Sequence, residues 1–373
     1  MHVVECLTHS KLGGAQSVVF SLVKQLSRKR TSLRITIMLP KGGVFVERFR
    51  ALGVEAIEFP LDRLSLRALG QARRVFSSLR AEVLHSHGKG AGIYAGVGHR
   101  AKSRACHVHS YHGFHMPGNF VADSLYLTSE RFLIRRTDAT IAVSTDEASE
   151  LQRIFQDDLP SVTIIPNVVD CDDLRARGKA ALPDACTTFL NRNANRFVVV
   201  MIARNDPVKN YSLALNATLR VLQRGTNTAF AFVGITERDA RRLLHTGDFS
   251  DRIICIDELE NPAPMLRAAS AILLTSRKES SPLVVQEARC FGKPVIGTDV
   301  PGIRENVRDR HDGVLCSENP EAVAEAILLL ATDTSLYDRC ANAACRLAEV
   351  SSVKAWANQY LDFYTYIHAI SRG

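Results

Sequence analysis

The stretch Arg277-Lys278-Glu279-Ser280-Ser281-Pro282-Leu283-Val284-Val285-Gln286-Glu287-Ala288 decides how this chain is read. Ahead of it, Ala271-Ile272-Leu273-Leu274 is an unbroken apolar run of the kind that buried strands show. Ser281 followed by Pro282 predicts a helix start: a hydroxyl N-cap, then proline at the first helical position, where its missing N–H is no loss. The helix is predicted over Leu283 to Phe291, with Gly292 placed to end it. A strand thus delivers the chain to a loop that feeds a helix N-terminus, where free N–H groups and the positive end of the helix dipole favour an anion. Glu279 stands just outside that terminus and Glu287 inside the helix. In isolation the two carboxylates read equally well as an acid favoured by the dipole and a solvated helix glutamate.

A second loop shifts that balance. Ala203-Arg204-Asn205-Asp206-Pro207-Val208-Lys209-Asn210 comes after the apolar run that starts at Phe197, so strand end, turn and helix start succeed one another again. Arginine offers a planar fork and lysine a point charge, a common pair for a diphosphate; two solvated loop cations are the plainer alternative. Taken with the acidic loop, the pair favours a ligand with an anionic middle and hydroxyls at both ends, a nucleotide sugar.

Working outward, strand and helix patterns alternate along the chain, which predicts α/β architecture with parallel sheets. Expected strands are His2–Leu7, Leu33–Leu39, Val54–Phe59, Val83–His85, Cys106–Ser110, Ala139–Val143 and Val162–Ile165, then Phe197–Ile202, Ala229–Val233, Ile253–Ile256, Ala271–Leu274 and Pro294–Gly297. Helical patterns include Ala15–Ser27, Leu64–Leu79, Ser124–Arg136, Pro320–Ala331, Leu336–Val350 and Val353–Ile370. The polar stretch Asn167–Asn195 loses the rhythm and reads as a linker. The expected domains are therefore residues 1–180 and 181–350, both Rossmann-like, facing each other across a cleft, with 351–373 a helix returning to the first. In that last helix Trp356, Tyr360, Phe363, Tyr364 and Ile367 recur at helical spacing, which predicts packing on a domain surface.

A chain of 373 residues exceeds what one core usually serves, and 46% apolar residues suffice for two. No apolar run is long enough to cross a membrane, and Met1–Leu7 lacks the basic start and apolar length of a secretion signal. The nine scattered cysteines show no metal-ligand spacing and are expected as reduced thiols in a cytoplasmic protein. The net charge of +8 suits anionic partners. Aromatic residues do not interleave with the basic ones, so nucleic acid is not expected as a partner.

These residues carry a resemblance. Arg204, Lys209 five positions on, and the Glu279/Glu287 element resemble the donor site of the retaining glycosyltransferases of family 4, which have the GT-B fold. Gly13-Gly14-Ala15-Gln16 resembles the family's N-terminal glycine loop, and Ile165-Pro166-Asn167-Val168-Val169-Asp170 its Ile-Pro-Asn-Gly-Val-Asp. Gly292-Lys293-Pro294-Val295-Ile296 and Pro301-Gly302-Ile303-Arg304-Glu305 resemble the family's segments C-terminal to the acidic helix. Val168, Ser280-Ser281 and Gln16 depart from the family's Gly, Gly-Phe and frequent Glu.

The resemblance implies that Glu287 holds ribose hydroxyls, that Glu279 holds sugar hydroxyls and that anomeric configuration is retained. Arg204, Lys209 and the helix start at Pro282, Leu283 and Val284 would stabilise the charge on a departing diphosphate, with Ser280 and Ser281 lining the site and no metal or cofactor required. Gly13 and Gly14 would serve the donor phosphate or the acceptor edge; a plain strand-to-helix turn explains them as well.

Histidines cluster at His85-Ser86-His87 and from His107 through His109 and His112 to His115. Strand alternation divides them between two faces with no evident fourth ligand, so no metal site is expected. His112 matches the family's cleft histidine, which implies contact with the transferred sugar or the acceptor.

Basic residues gather in the first half: Arg63, Arg67, Arg73, Arg74 and Arg80; Lys24, Arg28, Lys29, Arg30 and Arg34; Arg131, Arg135 and Arg136. They read either as solvated helix faces or as a docking face for anionic lipid on the inner side of the cytoplasmic membrane. The expected activity is transfer of a sugar from a nucleotide diphosphate sugar, UDP-linked by family frequency, to a saccharide or lipid-linked saccharide in bacterial surface polysaccharide assembly. A nucleotide-sugar 2-epimerase on the same architecture and a non-catalytic sugar-nucleotide-binding module are the alternatives.

Overall fold

Each apolar run forms a strand because it is flanked on both faces by helices that need an apolar surface. In a computed structural model, residues 1–28, 33–99, 105–114, 119–244 and 251–370 are described. Lys29, Arg30 and His115 of the sequence reading lie outside the described residues.

The first series runs β1 (His2–Leu7), α1 (Gly14–Ser27), β2 (Arg34–Leu39), α2 (Val44–Ala51), β3 (Glu55–Glu58), α3 (Leu66–Leu79), β4 (Val83–His87), α4 (Lys89–His99), β5 (Cys106–Ser110), α5 (Phe120–Ile134), β6 (Ala139–Ala142), α6 (Thr145–Phe155) and β7 (Val162–Ile164). Its seven strands form a parallel sheet in the order β3-β2-β1-β4-β5-β6-β7. Strands β1, β4 and β5 are buried along their whole length, as strands covered on both faces must be.

The second series runs α7 (Cys171–Arg177), α8 (Asp184–Arg192), β8 (Phe197–Ile202), α9 (Tyr211–Gln223), β9 (Thr228–Val233), α10 (Glu237–Leu244), β10 (Ile253–Ile256), α11 (Ala263–Ala268), β11 (Ala271–Leu274), α12 (Leu283–Cys290), β12 (Val295–Thr298), α13 (Pro301–Arg304), β13 (Gly313–Cys316), α14 (Pro320–Thr332) and α15 (Thr334–Val350). Six parallel strands order as β10-β9-β8-β11-β12-β13. The strand β13 is a difference from the sequence reading: four residues opening on glycine carry too little pattern to be seen.

In each sheet the direction of winding reverses once, between β1 and β4 and between β8 and β11. Ligands of open parallel sheets bind outside the carboxyl ends of the strands at such a reversal. The loops singled out in the sequence leave from there: Arg204–Lys209 comes after β8, and Arg277–Pro282 after β11.

The chain divides into two units at Val168/Val169, and the residues from Ser352 on belong to the first unit. The division thus lies earlier than the expected 180/181, and for a physical reason. Residues expected as linker form α7 and α8, and Leu174 of α7 is buried against Ala263 and Cys290 of the second unit. The signal is faint in sequence because that leucine is the one large apolar side chain of α7.

A disulfide between Cys171 and Cys290, with Cα atoms 5.1 Å apart, corrects the expectation that all cysteines are reduced thiols. The two lie 119 residues apart in sequence, so no local spacing announces the pair. The last helix, α16 (Val353–Ile370), buries Trp356, Tyr360, Phe363, Tyr364 and Ile367 as the spacing predicts, and packs beside α1. Among the described residues no helix is long and apolar enough to cross a membrane.

Candidate functional site

In the second unit, adjacent strands bring the two loops together. Strands β8 and β11 pair at Val199–Ala271 and Val200–Ile272, so their carboxyl ends open side by side. After β8, the Asp206 carboxylate accepts from the Val208 N–H at 2.9 Å, which winds Pro207–Lys209 into one 3-10 turn. Asn210 then takes a left-handed φ of 55° and caps α9. After β11, the Thr275 hydroxyl lies 3.1 Å from the Lys209 carbonyl and 3.2 Å from that of Asn210, and the Arg277 N–H donates to the Val208 carbonyl at 2.8 Å. The backbones of the two loops are thereby fixed to each other before any side chain meets a ligand.

Across this junction the Lys209 Nζ donates to Glu279 Oε1 at 2.5 Å, and the Ser276 hydroxyl donates to the same oxygen at 2.6 Å. Lys209 is 23% exposed at its side chain and Glu279 9%, so solvent screens the pair far less than a surface ion pair. Gly302 lies against the loop, and a Cβ there would sit 2.0 Å from the Glu279 carbonyl oxygen. Only a residue without a side chain lets α13 support the acidic loop so closely. Arg204 is exposed and stands outside the Lys209–Glu279 contact.

The helix start corrects the sequence reading by one position. Helix α12 begins at Leu283, and Pro282 occupies the N-cap in extended conformation without a side-chain cap bond. Ser281 is one residue further out, and Ser280 and Ser281 are both buried. Proline at the cap cannot offer a side-chain acceptor, so the first amides, at Leu283 and Val284, are left to other partners.

Glu287 lies one turn on and is half-buried. Burial pushes its carboxyl up, opposed by the charge of Arg177, and among the described residues no side chain hydrogen-bonds it. Such a carboxylate gains from a ligand's hydroxyl pair. Sequence reading missed Arg289, which anchors α12 by a 2.8 Å ion pair to the buried Asp312. The sequence holds an Asp-x-Asp triplet, Asp170-Cys171-Asp172, in which Asp170 caps α7, Cys171 is in the disulfide and Asp172 is exposed.

In the first unit, helix α1 begins at Gly14, with Gly13 as its cap. A Cβ on Gly13 would meet Gln16 Oε1 at 2.4 Å, so the buried Gln16 side chain folds back over the glycine, donating to the His9 carbonyl at 3.2 Å. His112 lies just past β5 with a left-handed φ of 54°. Its Nε2 lies 2.8 Å from His87 Nδ1, and the two rings stack at 5.1 Å. His87 Nε2 in turn lies 2.8 Å from Glu5 Oε2, and Tyr364 of α16 donates to Glu5 Oε1 at 2.8 Å.

Burial alone would raise the Glu5 carboxyl; attraction to His85 and hydrogen bonds from His85 and His87 outweigh it and hold it well below the usual carboxylate range. Burial and the neighbouring His85 push His87 down to about 4, and burial with His87 pushes His112 well below the ordinary imidazole value.

The division of histidines between faces is as expected: Ser86 bonds to both His107 and His109 on the other side of the sheet from His85 and His87. What sequence reading missed is Glu5, a lone acid in a mainly apolar first strand. Register places it opposite His85, and ligand atoms of Glu5, His85 and His87 lie within 4.8 Å of one another, close enough to hold a metal ion.

Comparison with known proteins bears on both units. The family model described as glycosyl transferases group 1 matches residues 188–346, and that described as Glycosyltransferase Family 4 matches residues 12–173. The chain belongs to the group 1 glycosyltransferases of family 4 type. Among relatives of this glycosyltransferase, an Escherichia coli UDP-Gal:alpha-D-GlcNAc-diphosphoundecaprenol alpha-1,3-galactosyltransferase is 23% identical over 262 residues, 68% of this chain and 67% of that protein. A D-inositol 3-phosphate glycosyltransferase of Streptomyces bingchenggensis is 29% identical over 238 residues, 59% of this chain but only 51% of the relative. Anabaena HepE, crystallised with UDP and glucose, superposes with a TM-score of 0.81 at 18% identity, covering 98% of this chain and 100% of that one. The likeness establishes the two-domain GT-B fold.

Proposed function

We propose that the chain is a retaining glycosyltransferase that moves a sugar from a UDP-linked donor to a saccharide or lipid-linked saccharide in cell-surface polysaccharide assembly. The observation that carries this reading is the junction of Lys209 with Glu279 at the β8/β11 reversal, beside the uncapped start of α12. Lys209 has three hydrogens to donate, so it can hold Glu279 with one and a phosphate oxygen with another. Arg204, Lys209 and the Leu283 and Val284 amides supply positive charge where the leaving diphosphate develops negative charge. Glu279 receives the sugar hydroxyls and Glu287 the ribose. Ser280, Ser281 and Pro282 line the site, Gly13 and Gly14 serve the donor phosphate or the acceptor edge, and His112 serves the transferred sugar or the acceptor. The base assignment is supported by HepE, whose crystals contain UDP and glucose, and the lipid-linked acceptor by the galactosyltransferase relative.

The membrane reading belongs to the same proposal, with the protein at the cytoplasmic face. Leu64 is 58% and Leu66 89% exposed at the start of α3, and Arg63, Arg67, Arg73, Arg74 and Arg80, before, along and at the end of the helix, are exposed too. The other basic stretches are weaker candidates, because Arg34 pairs with Glu55 and Arg135 with Asp158.

The test is product analysis by mass spectrometry after incubation with UDP-sugars, with and without a polyprenyl-diphosphate saccharide. Transfer to the acceptor supports the reading. Conversion of UDP-GlcNAc in the absence of any acceptor would favour the epimerase instead.

A further inference from the structure

The buried polar cluster of the first sheet has one consistent set of proton positions. A carboxyl is a stronger acid than an imidazolium, so beside two histidines Glu5 is the acceptor, and its Oε1 takes the Tyr364 hydroxyl proton at 2.8 Å. Glu5 Oε2 lies 2.8 Å from His87 Nε2, so that nitrogen carries the proton of the neutral ring. His87 Nδ1 is then a lone pair, and the His112 Nε2 at 2.8 Å must donate to it. His112 is left with Nδ1 unprotonated. Nδ1 is buried and has no donor among the described residues.

His85 fits the same pattern. Its Nδ1 donates toward Tyr364 at 2.6 Å, and its Nε2 accepts from Ser110 at 2.9 Å. With Glu5 ionised and the rings neutral, this is the assignment that gives each of these bonds one donor and one acceptor. A buried acceptor left without a donor costs about 1–3 kcal/mol and calls for an explanation.

We propose that Glu5 and His87 are positioning residues. Through two hydrogen bonds they fix His112 as the Nε2–H tautomer and present its Nδ1 lone pair to a substrate hydroxyl. The proposal rests on the reading of His112 as a sugar or acceptor contact. Glu5 acts through the proton on His87 Nε2, much as the carboxylate behind a metal-bound or catalytic histidine sets which nitrogen is free. The backbone adds to the constraint: the left-handed φ of His112, with the next residue's N–H, that of Gly113, donating to Glu147 Oε1 at 2.6 Å, fixes where the ring stands.

The experiment is two-bond 1H–15N correlation NMR of the full chain labelled at histidine, with His112 assigned from His112→Gln, together with transfer kinetics. The wild-type spectrum should show His112 protonated at Nε2 alone. Glu5→Gln should convert it to a mixture of tautomers and lower kcat roughly ten- to a hundredfold, with the donor KM changed less than about threefold. Tyr364→Phe disturbs the same cluster without breaking the relay, so the His112 tautomer should stay as it is.

Observation of His112 protonated at Nδ1 in the wild type overturns the proposal, whether or not any variant folds. So does stoichiometric metal in the purified protein, because an ion between Glu5 and His87 would take the place of the proton. If the tautomer is as expected but His112→Gln transfers sugar at the wild-type rate, the assigned role fails while membership of the family stands. If no sugar nucleotide is turned over at all, the wild-type spectrum still decides the relay.

Discussion

Lys209 and Glu279, seventy residues apart in sequence, meet at 2.5 Å where the loops after β8 and β11 join. The pair sets two effects against each other. Glu279 holds the lysine in place, yet its charge opposes a diphosphate at the same position. Glu279→Gln is therefore expected to weaken a UDP-sugar, by loss of hydroxyl contacts, while leaving UDP affinity equal or higher. Calorimetry with both ligands checks this. Equal losses for the two would mean that Glu279 does not contact the sugar.

Glu287 behaves differently because a ribose is common to both ligands. Glu287→Gln should weaken UDP and UDP-sugar alike, by about 1.5–3 kcal/mol or roughly ten- to a hundredfold. A loss confined to the sugar-bearing ligand would contradict the ribose assignment.

The legibility of this site depends on how local each signal is. The strand Ala271–Leu274, the loop and the helix after it are continuous in sequence, so their order and the anion-binding logic could be read directly, and α12 began within one residue of its expected start. Glu5, His87 and His112 come from three different strands or strand ends, and only parallel register makes them neighbours. The disulfide is equally non-local. The domain boundary was misplaced because α7 shows a single buried apolar residue, and its attachment to α11 and α12 is invisible until they are folded beside it.

The disulfide yields a chemical test. Cys171 and Cys290 should resist alkylation in protein denatured without reductant, and a proteolytic digest should contain their linked peptide. Reduction should cost about 2–4 kcal/mol of stability, as expected for a bridge that closes a long loop. Full alkylation of both residues without reductant would contradict the bridge.

Glu130 of α5 is buried, and burial pushes its carboxyl up to about 7 against the pull of Lys89, whose Nζ is 3.9 Å away. The folded state therefore holds this proton more tightly than the unfolded chain does. The folded state is favoured most below the ordinary carboxylate value, and stability falls as pH rises toward 7. The loss approaches about 3 kcal/mol in all. Glu130→Gln removes the titration, so urea denaturation at pH 5 and pH 8 should show the variant gaining on the wild type as pH rises. A difference that stays constant with pH would refute the assignment.

For the membrane face, Arg67→Glu with Arg73→Glu should lower co-sedimentation with vesicles rich in anionic lipid by at least about tenfold, given about 1 kcal/mol per cation near such a surface. Leu66→Ser should lower it further. Sedimentation that does not depend on anionic lipid content would remove the docking proposal.

The central claim is that one cluster in the second unit grips the diphosphate of a nucleotide sugar, and titration calorimetry of UDP into the wild type and Lys209→Ala tests it most directly. The account predicts saturable binding to the wild type and an affinity at least about tenfold weaker in a variant whose circular dichroism is unchanged. Equal affinity for the two proteins would contradict it.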